Sequence, residues 1–265
     1  MIAFPNIKIN LGLYITQKRA DGYHNLLTCF YPVPWHDVLE IVPQKEFEFV
    51  QTGLQVPGNV QDNLCVKAYQ LLKRDHAVPN ARIHLHKIVP MGAGLGGGSS
   101  DGAFGLKLLN DVFELHLDTN SLEDYAAQLG SDCAFFIRNG ACIATSRGEL
   151  MQQVNLDLKG QHIVIVCPPL HVSTADAFGQ VQPRSFEGDL KELLQSKKDW
   201  KSGLKNQFEE TVFPKHPLLA DIKQQLYDMG AWYAAMSGSG SAVFGLFEQA
   251  PEKRNFEHQT YIAAL

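Results

Sequence analysis

The stretch "PMGAGLGGGSSDGA", Pro90 to Ala103, places five glycines among the seven positions Gly92 to Gly98 and closes on Ser99, Ser100 and Asp101. Glycine loses more backbone freedom on folding than any other residue, so the run implies a need for bare backbone. Before it lies "ARIHLHKIV", where Ile83 and Leu85 alternate with His84 and His86. After it, "SSDGAFGLKLLNDVFEL" sets Ala103, Leu106, Leu109, Val112 and Phe113 on one helical face. The pattern predicts a strand, a glycine loop and a helix. Three readings of the loop compete. A Gly/Ser linker shares the composition but does not usually join a strand to an amphipathic helix. A dinucleotide fingerprint matches Gly92, Gly94 and Gly97, but requires a following strand ending in an acidic residue about 20 positions on. Here a second helical stretch, "SLEDYAAQLG", follows instead. A phosphate cradle accounts for the whole stretch. Glycines let backbone N–H groups approach an anion, the helix dipole adds attraction, and Ser99, Ser100 or Asp101 sits where short side chains cap a helix. It is not a Walker A loop, because no Lys-Ser/Thr pair follows the last glycine.

Outward from the loop, "IKINLGLYI" alternates. Ile7, Ile9, Leu11, Leu13 and Ile15 share one face, and Lys8, Asn10, Gly12 and Tyr14 the other. This predicts a half-buried strand with a polar second face, broken by a turn at Asp21-Gly22. "DVLEIV", "FEFVQT", "CIATSR", "LMQQVNL", "QHIVIVCPP", "AWYAAM" and "AVFGLF" read as further strands. "NLCVKAYQLLKRD", "STADAFGQV" and "PLLADIKQQLYDMG" read as helices. Strands and helices mix without steady β-α-β alternation, which predicts an α+β fold. The pattern restarts near residue 160, suggesting parts over 1–157 and 158–265. Lys197, Lys198, Lys201 and Lys205 read as a solvated helix face. The polar stretch from Pro183 to Leu204 reads as either a mobile flap or a surface loop.

The 265 residues carry a net charge of −5 and no Lys/Arg block, which argues against a nucleic-acid partner. Cys29, Cys65, Cys133, Cys142 and Cys167 are scattered, with no C-x-x-C pair. That argues against a zinc ribbon or disulfide framework and fits a reducing cytosol. "MIAFPNIKIN" has no apolar core of signal-peptide length, and no run of 18 apolar residues exists. A cytoplasmic protein without a membrane span is expected. His84 and His86 share a strand face, but no third ligand accompanies them, so no protein-held metal site is expected.

Four stretches together resemble the GHMP kinases. "PNIKINLGLYITQKRADGYHNL" resembles the N-terminal motif and "PMGAGLGGGSSDGA" the second. "LGSDCAFF" resembles the catalytic segment and "MSGSGSAVFGLF" the third motif. They occur in the family's order and span nearly the whole chain. The resemblance implies a two-domain α+β fold, with an N-terminal part like domain 2 of ribosomal protein S5 and a ferredoxin-like C-terminal part. It implies transfer of the γ-phosphoryl group of ATP, with Mg²⁺, to a small-molecule hydroxyl. "LGGGSSD" and "ADGYH" resemble the branch that phosphorylates the 2-hydroxyl of a cytidine-diphosphate-linked methylerythritol in non-mevalonate isoprenoid precursor synthesis. A monomer or homodimer acting on that small molecule is expected.

Residue roles follow from the same resemblance. Asp132 matches the catalytic base and Lys8 its cationic partner, although by position alone Asp132 reads as a helix N-cap. Pro90, Gly92, Gly94, Leu95, Gly96, Gly97, Gly98, Ser99, Ser100 and Asp101 match the ATP loop. Asp101 either caps its helix, binds Mg²⁺ through water, or does both. Asn63 matches an adenine-pocket asparagine and equally reads as an N-cap. Tyr23 and Phe178 match the rings that stack on the cytosine, and His24 its hydrogen-bonding group. Phe178 also reads as a core residue. Asn10 matches a contact of the erythritol hydroxyls and Thr174 of the ribose. Ser237, Gly238 and Ser239 match a loop at the diphosphate, and read otherwise as a hairpin turn. The chain departs from the family where Ala134 and Ala175 stand at frequent proline positions. Two alternatives stay open: another GHMP kinase, such as a mevalonate or homoserine kinase, or a nucleotide-binding regulatory protein without turnover.

Overall fold

Alternating apolar positions become strands, and three- and four-residue spacings become helices, through most of the chain. A computed structural model describes residues 1–252 and 256–265. Its strands are β1 (Ile2–Ala3), β2 (Asn6–Lys18), β3 (His24–His36), β4 (Val38–Pro43), β5 (Glu48–Gly53) and β6 (Ala81–Lys87). There follow β7 (Cys142–Thr145), β8 (Leu150–Gln153), β9 (His162–Cys167), β10 (Tyr233–Met236), β11 (Val243–Phe247) and β12 (Gln259–Ala264). The helices are α1 (Leu64–Asp75), α2 (Gly97–Val112), α3 (Thr119–Leu129), α4 (Cys133–Arg138) and α5 (Thr174–Gln180). The last four are α6 (Leu190–Gln195), α7 (Trp200–Gly203), α8 (Glu209–Val212) and α9 (Pro217–Asp228).

Two compact units form, and neither is continuous in sequence. The first contains Met1–Ile7, Trp35–Met91 and Gly96–Gly140; the second contains Lys8–Pro34, Gly92–Leu95 and Ala141–Leu265. The 157/158 position lies inside the second unit. The glycine run itself is divided, its first half belonging to one unit and its second half to the other.

In the first unit the sheet order is β1-β4-β6-β5, with β5 parallel to β6 and the other pairs antiparallel. Ile83 and Leu85 of β6 point inward, as their alternation requires. On α2, Ala103, Leu106 and Leu109 are buried while Val112 is half-buried. Gly102 and Gly105 let α1 come close: a Cβ on Gly102 would lie 2.8 Å from that of Leu64. Asp118 caps α3 by accepting a hydrogen bond from Ser121 N at 2.8 Å.

The second unit holds two sheets, β2-β3-β7-β8 and β10-β11-β9-β12. In the latter all pairs are antiparallel. Numbered in chain order its strands run 2-3-1-4, the arrangement expected of the ferredoxin-like part. Val164, Val166, Phe208, Leu219, Ile222 and Val243 are among the residues of its core. The α+β expectation and its two parts therefore stand. All five cysteines are buried and free of disulfides. Among the described residues no helix is long and apolar enough to cross a membrane.

The structure corrects several local expectations. The second face of β2 is not solvated: Lys8 is 3% exposed and Asn10 1%. β3 is a 13-residue strand despite Pro32 and Pro34, which lie outside its Thr28–Phe30 pairing with β7 and so remove no donor from that ladder. "CAFFIR" forms α4, and "QTYIAA" forms β12 beside β9. The stretch from 183 to 204 contains α6 and α7, not an open loop. The four lysines near its end are exposed, as expected, but Trp200 among them is 0% exposed. Its indole packs on Trp232 and Tyr233 at 5.2 and 5.4 Å between ring centroids, and its Nε1–H donates to Leu193 O at 3.1 Å. Trp200→Ala is therefore expected to cost about 3–5 kcal/mol. Urea unfolding reads this directly, and a cost near zero would mean that the stretch is not anchored.

Candidate functional site

In the second unit, the Gly92–Leu95 segment is shaped by backbone contacts that exclude side chains. Gly92 and Gly94 hold φ of +68° and +78°. A Cβ on Gly94 would lie 2.0 Å from Ser237 O, so the segment touches the β10–β11 hairpin backbone to backbone. Ser237 Oγ donates to Gly94 O at 2.9 Å. Lys8 Nζ donates to the same carbonyl at 3.0 Å and to Asn10 Oδ1 at 2.7 Å. Lys8 N donates to Leu95 O at 3.0 Å, and the ammonium lies 5.1 Å from the Phe30 ring centroid. Asn10 Nδ2 donates to Thr28 Oγ1 at 2.9 Å, which sets the amide with its oxygen toward Lys8. Buried Asn206 braces the hairpin, donating from Nδ2 to Met236 O at 2.7 Å and Gly238 O at 2.8 Å. Thr174 Oγ1 and Ser239 Oγ share a hydrogen bond of 3.0 Å. Thus Lys8, Asn10, Gly94, Thr174, Ser237, Gly238 and Ser239, separated widely in sequence, come together here.

The same unit holds the three aromatic candidates. Tyr23 is 58% exposed, with the Arg147 guanidinium 5.1 Å from its ring centroid. His24 and Phe178 stack on each other at 5.2 Å and 25°. Phe178 also meets Phe208 edge-on at 4.8 Å and packs on the core. The core reading of Phe178 holds: its inner side packs on the core, and its ring lies against His24. Partial burial, aided by the charge of Lys18, lowers the His24 imidazole below its ordinary pKa and favours the neutral ring. A neutral imidazole can donate from one nitrogen and accept at the other.

In the first unit, α2 begins at Gly97, with Gly96 as its N-cap at φ +72° and no side-chain cap. Ser99, Ser100 and Asp101 therefore lie inside the helix, which corrects the expectation that one of them caps it. The first N–H groups of α2 have no partner within the helix, as at any helix start. A Cβ on Gly98 would meet nothing within 4 Å. Gly98 faces a cleft whose walls include Phe49, Val60, Leu64 and Met91, with Asn63 and Asp101 on its polar side. Asn63 is also the N-cap of α1, its Oδ1 accepting from Cys65 N at 2.9 Å, so the capping reading holds while its residue lines the cleft.

Behind the first turn of α2 is a buried charge cluster. Lys87 Nζ pairs with Asp37 Oδ2 and, at 2.7 Å, with Asp101 Oδ2. Asp101 Oδ1 and Ser100 Oγ are buried and have no hydrogen-bond partner. Burial outweighs the pull of Lys87 and, with Asp37 nearby, pushes the Asp101 carboxyl up to about 8. Asp132 occupies the N-cap position of α4 and is half-buried, but its side chain makes no capping bond. Its simplest structural reading therefore fails. Among the described residues no cluster of three His, Cys, Asp or Glu side chains forms a metal site.

Sequence reasoning missed Asp37, Lys87, Thr28, Asn206 and Arg147. For Lys87 a signal existed, because it continues the inward phase of Ile83 and Leu85 on β6. The partners of the others lie far away in the chain and leave no local pattern.

Comparison with known proteins places these features in context. The family described as GHMP kinases N terminal domain matches residues 63–140, and GHMP kinases C terminal matches 186–259. The chain is 52% identical over 264 residues to a 4-diphosphocytidyl-2-C-methyl-D-erythritol kinase of Bacteroides fragilis, covering 97% of this chain and 96% of the relative. It is 50% identical to the kinase of that name from Cytophaga hutchinsonii, covering 95% and 94%. A crystal structure of 4-(cytidine 5'-diphospho)-2C-methyl-D-erythritol kinase superposes with a TM-score of 0.79 at 33% identity, over 93% of this chain and 90% of that one.

The glycines separate into two kinds. Gly94→Ala is expected to abolish folding or lower Tm by more than 10 °C, on the order of a few kcal/mol, because both its φ and the Ser237 carbonyl forbid a Cβ. Gly98→Ala is expected to leave Tm unchanged or raise it, since alanine favours a helix by about 1 kcal/mol. Thermal melts of the two variants decide between packing and ligand approach as the reason for each glycine.

Proposed function

The chain belongs to the GHMP kinases, and from that membership we propose that it transfers the γ-phosphoryl group of ATP to the 2-hydroxyl of 4-diphosphocytidyl-2-C-methyl-D-erythritol. This step serves the non-mevalonate route to isoprenoid precursors. The observation that carries the reading is the near-full-length match to kinases named for that acceptor.

Phosphoryl transfer asks a protein mainly to position reactants and neutralise charge. The free amides of Gly97, Gly98 and Ser99, with the dipole of α2 behind them, suit the phosphates of ATP. Gly98 supports this reading because its open side faces the cleft and the fold itself has no use for the missing side chain. Asn63 and the apolar wall of the same cleft suit the adenine. The remaining ATP-loop residues, Pro90, Gly92, Gly94, Leu95 and Gly96, bring the chain to that turn.

Ser100 and Asp101 fit Mg²⁺, each having a buried oxygen without a partner. They would hold it through water, since Mg²⁺ gives up its water shell reluctantly. When bound, the ion neutralises charge on the β- and γ-phosphates.

Asp132 is the general base that takes the proton of the attacking hydroxyl. The motif implies this role, and its side chain makes no capping bond to α4. The resemblance gives Lys8 the part of the site's cation, and its ties to Gly94 O and Asn10 Oδ1 fix its head group. Asn10 orients the erythritol hydroxyls. Tyr23 stacks on the cytosine, a contact worth about 1–3 kcal/mol. His24, neutral at physiological pH, reads the polar edge of the base, and Phe178 steadies it. Thr174 suits the ribose, and the Ser237–Ser239 loop the diphosphate.

ADP release with ATP and Mg²⁺ is expected with the cytidyl acceptor and not with mevalonate. Release with mevalonate, or with neither acceptor, would overturn the assignment. Asp132→Asn is expected to lower kcat by about 10²–10⁴ while the KM for ATP stays within about threefold. Wild-type turnover by that variant would remove Asp132 as the base.

A further inference from the structure

Lys87 is fully buried, far from the usual place of an ammonium group. Its Nζ contacts two carboxylates from different elements. Asp37, just before β4, also accepts through Oδ1 from Ile88 N at 2.6 Å and Val89 N at 2.8 Å. That carboxylate therefore holds the chain as it leaves β6. Asp101 lies one turn into α2 and binds the same ammonium at 2.7 Å. A Cβ on Gly97, the first residue of α2, would stand 3.1 Å from Nζ and 3.3 Å from Val89 Cγ1. The lysine head thus sits directly beneath the first turn.

We propose that Lys87 is a positioning residue for the phosphates of ATP, acting through Gly97 and Asp101 to set the first turn of α2. It does not reach solvent, so it is not a phosphate-binding lysine of the Walker type. Two carboxylates face one ammonium, so the cluster presents no excess positive charge for an anion either. What it supplies is rigidity. One cation ties the exit of β6 and the start of α2 to a common point. Buried ion pairs are weak devices for stability and costly when one partner is lost, so retention of this one fits a geometric role. A methyl group on Gly97 would crowd the pinned ammonium, which must then give way by a few tenths of an ångström or displace the turn.

The proposal rests on the reading of the α2 first turn as the phosphate cradle, and the experiment separates the two. Lys87→Met, Gly97→Ala, their double variant, Asp37→Asn and Gly98→Val are compared by KM for each substrate, kcat and Tm. Gly98→Val reports on the cradle alone. Lys87→Met and Gly97→Ala are each expected to raise the KM for ATP about tenfold, with the acceptor KM within about twofold, the scale of a sub-ångström misplacement. In the Lys87→Met background, Gly97→Ala should add less than about twofold, because an unpinned Met can move aside. If Lys87→Met fails to fold, Asp37→Asn loosens the same tie and should raise the ATP KM about threefold or more. Raised ATP KM in Gly98→Val alone, with Lys87 and Asp37 variants at wild-type KM and only lower Tm, overturns the positioning role. An unchanged ATP KM in Gly98→Val overturns the cradle reading and the proposal with it.

Discussion

Burying an ammonium group is expensive unless every donor finds an acceptor. This chain does it twice along one glycine-rich run, once in each unit. Lys8 is held by Gly94 O and Asn10 Oδ1, and Lys87 by Asp37 and Asp101. Much of the local architecture follows from satisfying them. Asn10 must turn its oxygen inward, so Thr28 takes its amide. Gly94 must expose its carbonyl to both Lys8 and Ser237, so its φ is left-handed and its Cα is bare. A side chain on Gly97 would press on the Lys87 head, which lies 3.1 Å from its Cβ position.

The glycines are therefore not one flexible loop. Gly94 is demanded by the fold, through a carbonyl at 2.0 Å, and Gly97 is crowded by an ammonium at 3.1 Å. A Cβ on Gly98 would meet nothing within 4 Å, so packing does not require that glycine. A run that looks uniform in sequence thus divides into positions that packing constrains and one that it leaves open. The same division applies to the aromatic residues. Phe178 is anchored by Phe208 and supports His24, whereas Tyr23 stands exposed with only Arg147 over it. The two departures from the family's prolines also find an account. Ala134 and Ala175 each occupy the second position of a short helix, α4 and α5. Proline there pre-sets the backbone, while alanine is the strongest helix former and suits the same helical position.

Much of the architecture was legible in local patterns. Alternation marked β2 and β6, short apolar runs marked β4, β9 and β11, and helical patterning marked α1, α2 and α9. The ordered motifs marked the family. The elements that escaped notice had weak or contrary local signals. Prolines disguised β3, and α4 is too short for periodicity. Trp200 sits among lysines, yet it is the side chain that fastens the polar stretch to the core.

By itself, the sequence determined the α+β class, a glycine turn opening a helix and the kinase family, since these depend on residue types at short spacings. Only the tertiary structure decided that Lys8 and Asn10 are buried, that Asp101 pairs with Lys87 rather than capping a helix, and that Asp132 caps nothing. The settings of Lys8, Asn10 and Asp101 depend on partners many residues away. Charge and hydrogen-bond satisfaction in a buried site is a property of the assembled neighbourhood, and no local pattern carries it.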